Sequence, residues 1–273
     1  MNAMNETLAL PSPSGVVGAA LKREWLSHRL NRFLYAHLLL VLVAGALPML
    51  TPGEALARGA AWWLLHAVLY AVSLSALLLG LSSAHAESEE FVWLLGQPSG
   101  LGPWLGGKII ALIGLAGVSS ALIGVPSALM GGFNSDLAVA AGGAAAVAVV
   151  CSMTGLAIGF WIRDSVRGLI VAVAAWLVML FGVDFLLLAL AGAPFAQANP
   201  DVWVAPLMLN PLDAYRITVL FSVERAAFSG LDAGRLAGWW SAHAALWLAV
   251  LSTMWSAFAV LVAWLGARRR IDG

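Results

Sequence analysis

One carboxylate stands where it is costly. Asp184 lies about two-thirds along the apolar run 168–192, in FGVDFLLL. A charge near the middle of a membrane span costs several kcal/mol and normally faces the bundle or a cavity. Its chemistry is either a substrate, proton or cation site, or a structural hydrogen bond to a neighbouring helix. His37, His66, Met49, Met153, Met179, Met254 and Cys151 are soft or borderline metal ligands in other apolar runs. A copper path would use such groups. No two form an i, i+4 ligand pair, and methionine is an ordinary gap filler. No metal site is therefore expected, with His37, His66, Cys151 and Met153 left as weak candidates. A single cysteine excludes an intrachain disulfide and a CxxC metal site.

Enzyme motifs fall short. GPWLGGKI carries Gly102, Gly107 and Lys108 at phosphate-loop spacing, but Ile109 stands where Ser or Thr would hold magnesium. No strand precedes it, and a phosphate loop needs strand, loop and helix in order. HAESE at 85–89 has the wrong spacing for a zinc protease, and no Gly-x-Ser-x-Gly occurs. A Ser73 pair with His66 or His243 lacks any recognisable activation. The chain is expected to be no enzyme and to hold no cofactor.

The elements that must position these residues are set by composition. The sequence is 62% hydrophobic and 10% charged, with mean hydropathy +0.91. Soluble domains are usually about half apolar and about a quarter charged. Thirteen tryptophans against three tyrosines suit interfacial belts or plain helix packing. Charge is balanced at 14 Lys+Arg and 14 Asp+Glu, so no nucleic acid partner is indicated. A bilayer core needs about 20 apolar residues per helix. Six runs qualify, at roughly 33–50, 61–84, 107–131, 137–162, 168–192 and 241–266. Backbone groups in lipid must bond within their own segment, so each reads as a helix. The predicted class is an all-α integral membrane protein, one transmembrane domain over 21–273. Small residues four apart, as in Gly106…Ile110…Gly114 and Gly155…Gly159, point to close helix packing.

No basic residue precedes Lys22, and Pro11 and Pro13 interrupt the start, so no cleavable signal peptide is expected. Residues 1–20 read as disordered. Val17, Leu21, Trp25 and Leu26 then sit at helical spacing among basic residues, which predicts an amphipathic helix lying at the membrane surface over 16–32. With the N-terminus inside, ten Lys/Arg fall on the cytoplasmic side and four outside. That bias orients both termini to the cytoplasm. Asp164 with Arg163 and Arg167 reads as a solvated turn with an i, i+3 charge pair. The loop 193–240 is long for a plain connector and should carry structure of its own. Within it, 212–228 has apolar residues at helical period.

Between the second and third spans, AESEEFVWLLGQPSGLGPWLGGK places Glu87, Glu89 and Glu90 before Phe91, Trp93, Leu94 and Leu95, then breaks at Gln97-Pro98. Carboxylates suit a helix N-terminus. An exposed Phe/Trp/Leu patch on the cytoplasmic side is either a protein-docking site or an interfacial helix lying on lipid. In LNPLDAYRI, 209–217, Asn210-Pro211 is a turn signal and Asp213 can cap the helix that follows. Tyr215 and Arg216 would sit in its first turn at the outer mouth of the bundle. They would contact a periplasmic partner, gate an exit, or hold the loop together.

The first of these stretches resembles the permeases of type-2 ABC transporters: Glu87, Glu89, Glu90, Leu94, Leu95, Pro98, Gly107 and Lys108 match the family's layout. It departs at Phe91-Val92-Trp93 and has no basic residue soon after the proline. The second is similar to a motif in the permease of the transporter that matures nitrous oxide reductase, through Asn210, Pro211, Asp213, Tyr215 and Arg216. The run around Asp184 also resembles that subfamily's fifth span. The resemblance implies a homodimeric permease in a bacterial inner membrane. Residues 86–106, with Trp93 and Lys108, would form a coupling helix docking a separate cytosolic ATPase dimer, which holds ATP and magnesium. It further implies maturation of a periplasmic copper enzyme, a copper- or sulfur-containing cargo, and a periplasmic accessory protein. The rival expectation is a stand-alone carrier or channel using Asp184 as its ion site.

Overall fold

The computed structural model describes residues 13–28, 31–47, 62–86, 101–131, 135–199, 201–223 and 234–272. They are helical almost throughout, with no strand among them. In chain order the helices are α1 (Pro13–His28) and α2 (Arg32–Ala46), α3 (Trp62–His85), and α4 (Leu101–Gly131), α5 (Ser135–Trp161) and α6 (Ser165–Leu190). Three short helices follow, α7 (Pro194–Ala198), α8 (Asp201–Leu209) and α9 (Pro211–Val223), then α10 (Gly234–Asp272).

Among the described residues five helices, α3 to α6 and α10, are long and apolar enough to cross a bilayer. Leu21–Ser27 of α1 and α2 supply a sixth only if that pair, bent by 83°, is one span. The chain is a multi-pass membrane protein. α2 has 15 residues, about 22 Å of helix, short of the roughly 30 Å hydrocarbon core. The expected first span ran to residue 50, and 48–50 lie outside the described residues. The third span starts earlier than the apolar pattern implied: α4 takes in Leu101, Trp104 and Leu105. α1 begins at Pro13, within the stretch expected to be disordered. α10 runs through the sixth expected span with a kink at His243.

α5 is the hub, packing on α3, α4, α9 and α10. Its contact with α3 depends on absent side chains. A Cβ at Gly155 would run into the Leu77 carbonyl oxygen, and one at Gly80 into that of Ser152. The Gly155…Gly159 pair does the packing its spacing implied; around Gly106 and Gly114 a Cβ would meet open space. Polar ties cross between helices where lipid offers no alternative partner. His37 Nδ1 lies 2.7 Å from Ser75 Oγ, and its Nε2 lies 2.8 Å from Ser119 Oγ, joining α2, α3 and α4. Within α3, Ala67–Val72 is a π-helical stretch. Just after it, Ser73 donates to the Leu69 carbonyl and accepts from Trp176 Nε1 at 2.9 Å, tying α3 to α6.

The short 162–164 connection between α5 and α6 marks one end of the bundle, called here the Arg163 end. Asp136 and Leu190 mark the other, the Asp136 end. Asp164 Oδ1 accepts the Arg167 backbone N–H at 2.7 Å. That carboxylate caps α6 rather than forming the expected i, i+3 charge pair.

Candidate functional site

The loop between α6 and α10 turns back into the bundle. α8 enters from the Asp136 end, the chain reverses at Asn210, and α9 returns. Three hydrogen bonds fix the apex. Asn210 Nδ2 donates to the Met179 carbonyl at 2.5 Å. Trp255 Nε1 donates to the Leu209 carbonyl at 3.0 Å, and Trp247 Nε1 to that of Met208 at 2.9 Å. Met179 lies eleven residues before Leu190, the last residue of α6, which is about 16 Å of helix. LNPLDAYRI is therefore the tip of a re-entrant hairpin, where the sequence placed it at the mouth.

The turn chemistry explains the reversal. Pro211 opens α9, where its missing N–H costs nothing. Asn210 Oδ1 accepts the Leu212 N–H at 3.1 Å, and the Asn210 carbonyl accepts Ala214 N–H at 2.8 Å. Asn210 is thus the cap expected of Asp213. This frees Asp213 for another use: its Oδ2 accepts from Asn210 Nδ2 at 2.7 Å, and its Oδ1 faces Arg216 Nη2 at 2.7 Å.

Arg216 in turn reaches α6. Its Nη1 and Nη2 face Asp184 Oδ2 and Oδ1 at 3.2 and 3.0 Å, a forked two-point contact. The costly carboxylate of the fifth span and the hairpin motif are one site. Asp213 is 3% exposed, Arg216 28% and Asp184 45%, so the triad grades from buried to open. Two carboxylates on one guanidinium leave one negative charge in excess. Asp213 is the buried member, bonded to both Asn210 and Arg216. Arg216 is partly buried between the two carboxylates. Tyr70, on the π-helical stretch of α3, is close enough to act on it.

Tyr215 completes the seating of α9. It is fully buried and its hydroxyl donates to the Ala140 carbonyl at 3.3 Å. The ring lies where a Cβ at Gly143 would be, 2.5 Å from its nearest carbon, so only glycine admits it.

Of the expected coupling residues, Glu87, Glu89, Glu90, Trp93, Leu94, Leu95 and Pro98 lie outside the described residues. Lys108 is described, and it is buried at 1% exposure. It pairs with Glu24 of α1 at 2.8 Å and donates to the Ser83 carbonyl at 3.1 Å. Glu24 was missed in the sequence, yet a signal exists: it stands seven residues after Val17 and three after Leu21, in register with the apolar stripe. In the fold the order inverts, with Glu24 buried and Trp25 65% exposed.

The metal candidates do not converge. His37 is held by two serines. His66 lies between Trp62 and Tyr70 and bonds the Trp62 carbonyl. Cys151 and Met153 are buried in α5. Among the described residues no three His, Cys, Asp or Glu side chains come together to hold a metal ion. Ser73 pairs with Trp176, not with His66 or His243. No protein-family model and no curated protein matches the chain.

Proposed function

We propose that this chain is the membrane subunit of an ATP-driven transporter, working as a homodimer with a separate cytosolic ATPase dimer that binds ATP and magnesium. The observation that carries this reading is the hairpin. Its tip is anchored near mid-length of α6 and α10, and a charge triad latches it to α6. A hairpin latched to a neighbouring helix by one charge cluster is suited to two discrete arrangements, which alternating access needs. Parting α6 from α9 would break the Asp184–Arg216 fork and open the bundle at the Asp136 end. The ATPase would drive that motion through residues 86–106 and, by way of Lys108 and Glu24, through α1. Following the resemblance, the transporter sits in a bacterial inner membrane with both termini cytoplasmic. It serves maturation of a periplasmic copper enzyme such as nitrous oxide reductase, with a periplasmic accessory protein at the hairpin's outer side. A stand-alone carrier using Asp184 as its ion site is the weaker reading, because both Asp184 oxygens already face Arg216.

The test is co-purification. Tagged chain should bring down a nucleotide-hydrolysing protein from native membranes. Glu87→Lys/Glu89→Lys/Glu90→Lys should abolish that association without lowering the melting temperature of the chain. Transport by the purified chain alone without ATP, lost in Asp184→Asn, would establish the carrier instead.

A further inference from the structure

The Arg163 end carries a built groove that the hairpin does not use. A cavity of about 620 Å³ lies between the ends of α5 and α6. Its floor is apolar: Trp161, Ile170 and Val171 line it, and Ile170 is 62% exposed. Arg163 and Arg167 stand at its lip, both exposed.

The neighbouring end of α10 adds charge. Gly266 is the notch that receives Trp161, whose indole would lie 2.7 Å from a Cβ there. Trp161 Nε1 donates to the Val262 carbonyl at 2.8 Å. This seating brings Arg269 over the Trp161 ring at 5.4 Å. Arg270 lies over Phe160 and donates to the Gly159 carbonyl at 2.5 Å. Among the described residues none offers a side-chain carboxylate to Arg163, Arg167 or Arg269. The one carboxylate lining the groove, Asp164, has an oxygen committed to capping α6. The loop is fixed from below, since His85 Nε2 lies 2.9 Å from the Ile162 carbonyl.

From this arrangement we infer that the groove is a binding site for an anionic phospholipid. The phosphodiester sits between Arg163, Arg167 and Arg269, and one acyl chain lies along Trp161, Ile170 and Val171. Two observations select a lipid. The groove joins positive charge that no carboxylate among the described residues pairs to an exposed apolar wall, the chemistry of a lipid headgroup and its chain. The wall is also continuous with the exposed apolar surface of α6, through Leu169 and Val178.

The experiment uses the full chain in detergent, titrated with phosphatidylglycerol or phosphatidylcholine and read by native mass spectrometry. Phosphatidylglycerol should bind in preference. Arg163→Gln/Arg167→Gln should weaken it about 30-fold, from roughly 1 kcal/mol per basic residue near an anionic surface. Phosphatidylcholine binding should not change. Ile170→Asp, which keeps the arginines, should also weaken phosphatidylglycerol, and soluble glycerophosphoglycerol should fail to compete. A photoactivatable phosphatidylglycerol should mark the 161–171 peptide in the unaltered chain, whatever the variants' stability. Equal binding of the two lipids overturns the inference, as does competition by the soluble diester, which would make the site one for free phosphate esters. Labelling elsewhere on the chain overturns it too, as does protection of 161–171 by a bound ATPase in place of lipid.

Discussion

Arg216 holds two carboxylates, and the consequences of removing each member differ. Arg216→Met leaves Asp213 buried beside Asp184 with no cation. Breaking such a pair from one side costs about 3 kcal/mol or more. Adding Asp213→Leu removes the stranded charge and should recover much of the loss, because an apolar replacement of a buried pair is often nearly neutral. Asp184→Asn should cost less than Arg216→Met, since it leaves the buried Asp213 paired with Arg216. Chemical unfolding in detergent checks the order of the three.

Helix contacts place different demands on single residues. Tyr215 enters α5 only where Gly143 leaves room. Gly143→Val should unseat α9, at a cost of about 1–3 kcal/mol for overpacking. An aromatic near-ultraviolet signal should report it, as Tyr215 loses its fixed surroundings. The same substitution at Gly114, where a Cβ meets open space, should do little. At the other end, α1 is held to α4 by Glu24 and Lys108. Lys108→Met strands a buried carboxylate and should release α1, so that trypsin cuts after Lys22 and Arg23 faster by ten-fold or more. Glu24→Gln with Lys108→Met should restore protection, which distinguishes the ion pair from the packing around it.

Across the whole molecule, labelling can fix which side each end faces. Cys151 is the single cysteine and is fully buried, so introduced cysteines label over a quiet background. An impermeant maleimide should reach Asp136→Cys from one side of sealed vesicles and Asp164→Cys only from the other. Labelling of both from one side would sink the bundle described here.

Much of this architecture was legible beforehand. The five long apolar helices follow from runs that bury their own backbone bonds in lipid, a local property. The turn at Asn210-Pro211 and the helix after it are local too, and both occur where residue types place them. Depth and pairing were not legible. Nothing near Asp184 announces that its counter-ion stands 32 residues later, or that Lys108 is answered by a glutamate far along the chain. Those choices depend on which helices pack together, and packing is decided by surfaces such as Gly80 against Ser152 and Gly143 against Tyr215. The sequence by itself determined that this chain crosses a membrane several times, and roughly where its long apolar helices lie. Only the tertiary structure decided that a loop folds back into the bundle and meets Asp184. A buried charge takes the partner that packing brings within reach, and sequence distance does not encode that reach.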